Sequence, residues 1–517
     1  MRLYGSPLIQ TTLTEPISAA RARAAGEIDR SLATGIAWSA AAKWSSQLIS
    51  WGSFLVVTHI LAPSDFGLVG MAVLYYGLLQ LVTDAFGTAV TTLRDLTDEQ
   101  LAQMNSVALI SGGLAWVLSC GVASPLGHFF KSPRLPLVVV AMSTMFLMSG
   151  LRMIPYSLLY RDTRFRLLSI LDAVQAVAQA LTMLVFVWLG FGYWTLVIGN
   201  IAGAATLAVL QISCRPHRFA RPRLSSIRNA LTFSRHIMVG SCSWYGYSNA
   251  DFLVAGRVLG QTALGAYTLA WTLATLPLEK VTAIVTNVSF AYFSAAQKDL
   301  ALLRRHLRIL TEGLSLVTFP ATIGLALVAS DLIHLLFGAK WDGAIIPLEI
   351  LAFYASLRCI TTLLPSILNV TGESRFVMWV MQGALVLMPM VFYVGSRWGP
   401  TGIAYGWVIA YPAVAACLYW RTFRKIEMPL GDYLQALRPA LTGCVTMTAI
   451  VEVLKRTLIV GLPLPVRLAL EVLSGSAIYV LTLTLFHIDR LFSFWKFLRV
   501  PRQANRLESV TEQSLNL

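Results

Sequence analysis

Charged side chains recur where the chain is otherwise apolar. Lys43, Arg152, Arg235, Lys280 and Arg358 lie inside long hydrophobic stretches, as do Asp84, Asp172, Asp251, Glu279, Glu312, Glu349 and Glu452. In hydrocarbon such a group is stable only against a partner, a water-filled cavity or the interface its side chain snorkels to. Besides Lys43, the cations Arg152, Lys280 and Arg358 lie deep in their stretches, whereas Arg235 stands near an entry. Glu279 is placed to neutralise Lys280 and Glu349 to pair with Arg358. Cations spread along the chain would suit an anionic substrate. Ser50, Ser248 and Asp251 would add polar surface, and Asp84 and Asp172 are the acids of the first half able to take a coupling ion.

These residues follow a helical period. Ser39, Lys43, Ser46, Ser50 and Ser53 recur at steps of four, three, four and three, which places them on one helical face. Ser241, Ser248 and Asp251 follow at steps of seven and three, and an offset of 198 maps Lys43, Ser50 and Ser53 onto them. Small polar residues also let helices pack closely, so the serines alone do not require a cavity. Trp38, Trp44, Trp51, Tyr75, Tyr76, Trp244, Tyr245 and Tyr247 offer ring surfaces for sugars or for interfacial anchoring.

The elements that position them are transmembrane helices. Of the 517 residues 56% are hydrophobic and 13% charged, with a mean hydropathy of +0.67. Soluble chains carry roughly 25% charged residues. A run of about 20 apolar residues crosses a hydrocarbon core as a helix, which satisfies every backbone donor internally. The expected fold is all-α, with fourteen spans at 36–61, 66–92, 104–127, 135–159, 167–189, 192–213, 231–256, 264–290, 308–329, 343–368, 376–396, 400–420, 439–459 and 464–486. Of the 40 Lys and Arg, 27 fall in or beside the termini and even-numbered gaps and 8 in or beside the odd-numbered gaps. The positive excess marks the cytoplasmic side. Both termini are therefore expected in the cytoplasm, with no cleavable signal peptide, and the net charge of +15 reports topology, not nucleic-acid binding.

The chain also repeats. Ile60-Leu61-Ala62-Pro63-Ser64-Asp65-Phe66-Gly67-Leu68 matches Val258-Leu259-Gly260-Gln261-Thr262-Ala263-Leu264-Gly265-Ala266 at the same offset. Two pseudo-symmetric six-helix halves, 35–213 and 231–421, are expected to share one orientation, as in transporters built from parallel repeats. Around them lie an N-terminal segment 1–34, a basic linker 214–230, a loop 422–438, two further helices within 439–487 and a tail 488–517. Six scattered cysteines form no metal or disulfide pattern, and there is no GxxxxGK[ST], HExxH or nucleophile elbow. No cofactor, metal or catalytic residue is expected.

The run Ile60 to Gly67, then Asp84-Ala85-Phe86-Gly87, the stretch Leu159-Tyr160-Arg161-Asp162-Thr163-Arg164-Phe165, and Asp251 ahead of Leu259 to Tyr267 resemble the polysaccharide transporter family. That family belongs to the multidrug/oligosaccharidyl-lipid/polysaccharide (MOP) exporter superfamily, and the likeness is to its Wzx-type branch serving colanic-acid-like and teichuronic-acid-like exopolysaccharides. It covers about residues 31–425. The resemblance implies a flippase in the bacterial inner membrane that moves an undecaprenyl-diphosphate-linked oligosaccharide by alternating access. Its cavity would be lined by spans one, two, seven and eight, and polymerase or export machinery would be its partners. The alternatives are a MATE-like cation-coupled drug exporter, which would need an acidic site at Asp84 or Asp172, and a membrane polymerase or glycosyltransferase, for which no large catalytic loop is present.

The topology gives the first prediction. Reporter fusions at Asp65, Gln261 and Gly399 should read periplasmic, and fusions at Arg164, Arg221 and Arg424 cytoplasmic. Two reversed reporters would overturn the orientation.

Overall fold

A computed structural model describes residues 45–92, 96–223, 228–297, 299–457 and 461–488. Among them there is no strand. Helix α1 covers residues 45–60. It is followed by α2 (Pro63–Thr92), α3 (Asp98–Phe129), α4 (Leu135–Arg161), α5 (Phe165–Trp188), α6 (Trp194–Cys214) and α7 (Arg228–Ser248). A short α8 (Ala250–Val254) and a π-turn precede α9 (Gln261–Ala295) and α10 (Leu300–Leu336). Then come α11 (Ile345–Thr361), α12 (Leu363–Val370), α13 (Ser374–Gly395), α14 (Gly399–Ile426), α15 (Leu430–Thr457) and α16 (Leu464–Phe486). Ten stretches of the described residues are long and apolar enough to cross a membrane.

Local chemistry sets the helix ends. Before α3, Thr97 and Gln100 form a capping box: the Gln100 side chain accepts from Thr97 N at 3.0 Å, and Gln100 N donates to Thr97 Oγ1 at 3.3 Å. The helix therefore starts at Asp98, ahead of the apolar run that begins near 104. Asp299 caps α10 in the same way, accepting from Ala301 N and Leu302 N. The basic segment Arg304–Arg308, expected between spans, is consequently helical. With 37 residues, α10 is about 55 Å long at ~1.5 Å per residue, well beyond a hydrocarbon core of about 30 Å.

Two apolar runs that read as continuous are broken. The seventh breaks at Asn249, whose side-chain amide donates to Tyr245 O at 3.0 Å, and continues through α8 into a π-turn at Ala255–Leu259. The tenth breaks at Thr362. Pro365 has no N–H to continue the α11 ladder but fits the first turn of a new helix.

Contacts divide the chain into two compact units. The first comprises Met1–Val57, Leu79–Cys120 and Val140–Ile237. Its described core includes Ala89, Val90, Met104, Ile154 and Leu158, with a second cluster of Leu159, Leu168 and Leu171. Here α3 and α4 cross closely, because a Cβ at Gly112 would overlap Phe146 O and one at Gly150 would lie 2.7 Å from Ala108 O. Between α5 and α6, Gln175 donates to Gln179 and Gln179 to Asn200 at 3.0 and 3.1 Å.

The second unit comprises Thr58–Leu78, Gly121–Val139 and Met238–Leu517. One large core joins α9 to α12 with α14, α15 and α16, including Leu307, Leu314, Cys359, Leu364, Leu418 and Tyr479. Helices α15 and α16 are tied to α10 by more than apolar contact. Tyr479 donates its hydroxyl to Leu316 O at 2.8 Å. Arg467 Nε lies 2.5 Å from Asp331 Oδ2 and 3.4 Å from Glu471 Oε1, while Lys455 Nζ stands 3.8 Å from Glu471 Oε2. The Glu471 side chain is fully buried, so both cations are needed to hold its charge. A similar tether ties Glu373, before α13, to Arg421 and Lys425 at the end of α14, at 2.8 and 3.2 Å. The Arg421 guanidinium, with Lys425 behind it, holds the Glu373 carboxyl below the ordinary carboxylate range.

Removing one member of the buried network should be costly. Glu471→Ala is expected to destabilise the purified protein by about 3 kcal/mol, read as a lower thermal midpoint in detergent, with part of the loss restored by adding Lys455→Met. An unchanged midpoint for Glu471→Ala would show that the network does not hold α15 and α16.

Candidate functional site

The second unit contains a dense polar and aromatic cluster built by α8, α9, α11 and α14. The break at Asn249 resets the helix so that Asp251 is fully buried. Its Oδ2 accepts from Tyr267 Oη at 2.7 Å and Trp407 Nε1 at 2.9 Å, and its Oδ1 accepts from Phe252 N at 2.9 Å. Around this carboxylate the rings interlock. Tyr354 stacks on Trp407 with centroids 4.7 Å apart, Trp271 lies 5.5 Å from Trp407, and Tyr411 meets Tyr354 edge-on at 5.1 Å. Offset and edge-on pairs of this kind are favoured by the ring quadrupoles.

Arg358, one turn after Tyr354 on α11, brings a positive charge to the cluster. Its guanidinium carbon lies 6.0 Å from the Trp271 ring centre. Tyr354, Tyr411, Tyr247 and Glu279 are within electrostatic range. Two hydroxyls in this region, Tyr354 Oη and Ser248 Oγ, are buried without a hydrogen-bond partner. A cation beside aromatic faces and unfilled hydroxyls can hold an anion together with a polyhydroxylated group.

The residues singled out from sequence separate into distinct places. Asp251 and Arg358 converge on the cluster, although among the described residues they form no ion pair, and Ser248 is buried three residues before Asp251. Asp251 fixes the rings from within and exposes no surface of its own. Glu349 faces Lys455 and Glu452, not Arg358, because α11 turns the two onto different faces. Lys280 and Glu279 are exposed on α9. In the first unit Gln80 Nε2 donates to Asp84 Oδ1 at 2.9 Å and to Ser149 Oγ at 2.6 Å, and Arg152 is close enough to act electrostatically on Asp84. Asp172 is exposed, near Tyr156, and Ser50 is half-buried on α1. Ser53 is buried and donates to Ala180 O at 3.2 Å. Lys43, Ser39, Trp38 and Trp44 lie outside the described residues.

Sequence reading missed Trp271, Tyr354 and Trp407. Tyrosines and tryptophans are common in any membrane chain, and what singles these three out is convergence from three helices. The available signal was Asp251 itself, a carboxylate deep in an apolar run that has to find donors somewhere.

The family described as "Polysaccharide biosynthesis protein" matches residues 56–346. The Teichuronic acid biosynthesis protein TuaB of Bacillus subtilis (strain 168) is 24% identical over 464 residues, covering 88% of this chain and 96% of that protein. The Lipopolysaccharide biosynthesis protein WzxC of Escherichia coli (strain K12) is 24% identical over 394 residues, covering 73% and 77%. Among solved structures, the Lipid II flippase MurJ in an inward closed conformation superposes with a TM-score of 0.72 at 14% identity, covering 88% of this chain and 99% of that one.

If Asp251 organises the rings, its donors matter individually. Tyr267→Phe should cost about 1.5–3 kcal/mol, the range for a hydrogen bond to a charged group, seen as a lower thermal midpoint. Phe252→Leu, which alters edge-on contacts to Tyr267 at 5.4 Å and Trp271 at 5.7 Å but keeps the backbone N–H bond to Asp251, should cost less. Equal effects would mean that packing alone holds the cluster.

Proposed function

This chain belongs to the polysaccharide biosynthesis protein family, and from that premise we propose that it is a flippase for lipid-linked oligosaccharide. Its substrate is an undecaprenyl-diphosphate-linked repeat unit, carried from the cytoplasmic to the periplasmic leaflet of the bacterial inner membrane for exopolysaccharide or lipopolysaccharide synthesis. The protein works as a transporter, not as an enzyme, and alternates access between the two sides. Relatives named for teichuronic acid and lipopolysaccharide biosynthesis support the substrate class. The observation that carries the reading is the seat of Arg358, a cation embedded among Trp271, Tyr354 and Tyr411.

The chemistry fits each part of such a substrate. A diphosphate leaving water needs fixed compensating charge, because an unpaired anion in a low-dielectric site costs far more than one hydrogen bond returns. Arg358, Lys280, Arg152 and Lys43 would supply it in succession. Ring faces and hydroxyls accommodate sugars without fixing their identity, and the lipid tail needs only lateral access to the bilayer. Fourteen spans, cytoplasmic termini and two parallel halves at 35–213 and 231–421 complete the proposal. Polysaccharide polymerase or export machinery would receive the product.

A deletion strain should accumulate radiolabelled lipid-linked sugar on the cytoplasmic leaflet. Arg358→Ala and Lys43→Ala should each reduce polymer export at normal membrane abundance, and Lys43→Arg should retain more export than Lys43→Ala. If both alanine variants lose abundance together with export, or change nothing, the cationic path is wrong.

A further inference from the structure

The repeated motif makes a contact with itself. A Cβ added at Gly67 would overlap the carbonyl of Gln261, and one added at Gly265 would overlap the carbonyl of Pro63. The offset of 198 carries Gly67 onto Gly265 and Pro63 onto Gln261. Each glycine therefore meets the repeat equivalent of the other's partner, the signature of a two-fold contact. The face continues along α2. Gly70 approaches Thr268 and Leu264, and Gly77 lies under the ring of Tyr245, whose hydroxyl donates to Leu74 O at 2.9 Å. Residues 67, 70, 74 and 77 follow at steps of three, four and three, one stripe about 15 Å long.

We propose that this stripe, with Gly67 paired to Gly265 and the Tyr245 hydroxyl bonded to Leu74, is the seal that closes the periplasmic mouth of the transport path. The proposal rests on the flippase reading and on the topology that puts the start of α2 at the periplasm. Backbones this close leave no room for water or a sugar between α2 and α9. The seal is nonetheless easily reversible. Its apolar part gains little over contact with lipid, and the Tyr245–Leu74 hydrogen bond can be exchanged for one to water when the helices part. The two-fold pairing means that a rotation of either half releases both glycine contacts together.

Accessibility of one cysteine tests this without substrate. The cysteines at 120, 214, 242, 359, 417 and 444 are replaced, Thr268→Cys is introduced, and intact cells are treated with a membrane-impermeant maleimide. The otherwise native protein should label slowly. Tyr245→Phe should speed labelling about fivefold, the shift expected for one net hydrogen bond. Gly67→Ala should speed it by about an order of magnitude, because overpacking forces the helices apart. Should Gly67→Ala fail to reach the membrane, Tyr245→Phe decides alone. Unchanged labelling in every variant that reaches the membrane overturns the seal. Faster labelling only in inverted vesicles overturns its periplasmic placement. Faster labelling in intact cells, in a protein whose deletion leaves lipid-linked sugar on neither leaflet, keeps the seal and removes the flippase reading instead.

Discussion

A peptide group in hydrocarbon has no water to bond, and this constraint shapes the whole chain. Each apolar run satisfies its own donors and acceptors by becoming a helix. Once that is done, hydrophobicity no longer distinguishes one helix pairing from another, because lipid tails are as apolar as leucine. Specific association is left to close backbone approach and to polar groups. Both are prominent here. Gly112 and Gly150 bring α3 against α4, Gly67 and Gly265 bring α2 against α9, and Gln175, Gln179 and Asn200 link α5 to α6.

The same constraint acts on charges within the helices, and two groups of them are answered differently. Asp331, Arg467, Glu471 and Lys455 answer one another and anchor α15 and α16. Asp251 is answered by neutral donors, Tyr267, Trp407 and the Phe252 amide, and Arg358 sits against rings, with no carboxylate bonded to it among the described residues. A closed ion network rigidifies. A cation held by aromatic faces and distant charge keeps its hydrogen-bonding capacity.

Much of the architecture was legible in the sequence because the signal for a membrane helix is strong and local. The apolar runs found the helices and the self-similar motif found Gly67 and Gly265. What could not be read depended on a few side chains outside the hydropathy pattern. Thr97 and Gln100 start α3 before its apolar run. Asp299 makes the Arg304–Arg308 stretch helical, and Asn249 and Pro365 break runs that hydropathy joins. The site was legible only in part. A charged residue in an apolar run announces itself, so Asp251 and Arg358 stood out. The position of Glu349 relative to Arg358 did not, because it depends on which helix each face meets.

The repeated motif is symmetric in its glycine contacts and asymmetric in its chemistry. In the motif, Gly67 meets the Gln261 carbonyl and Gly265 meets the Pro63 carbonyl, so neither could take a larger side chain without a clash. Away from it, the offset that pairs Ser53 with Asp251 pairs a hydroxyl bonded to Ala180 O with a carboxylate ringed by tyrosine and tryptophan. The second position draws donors from α9 and α14 beside stacked rings, while the first is spent on one backbone carbonyl.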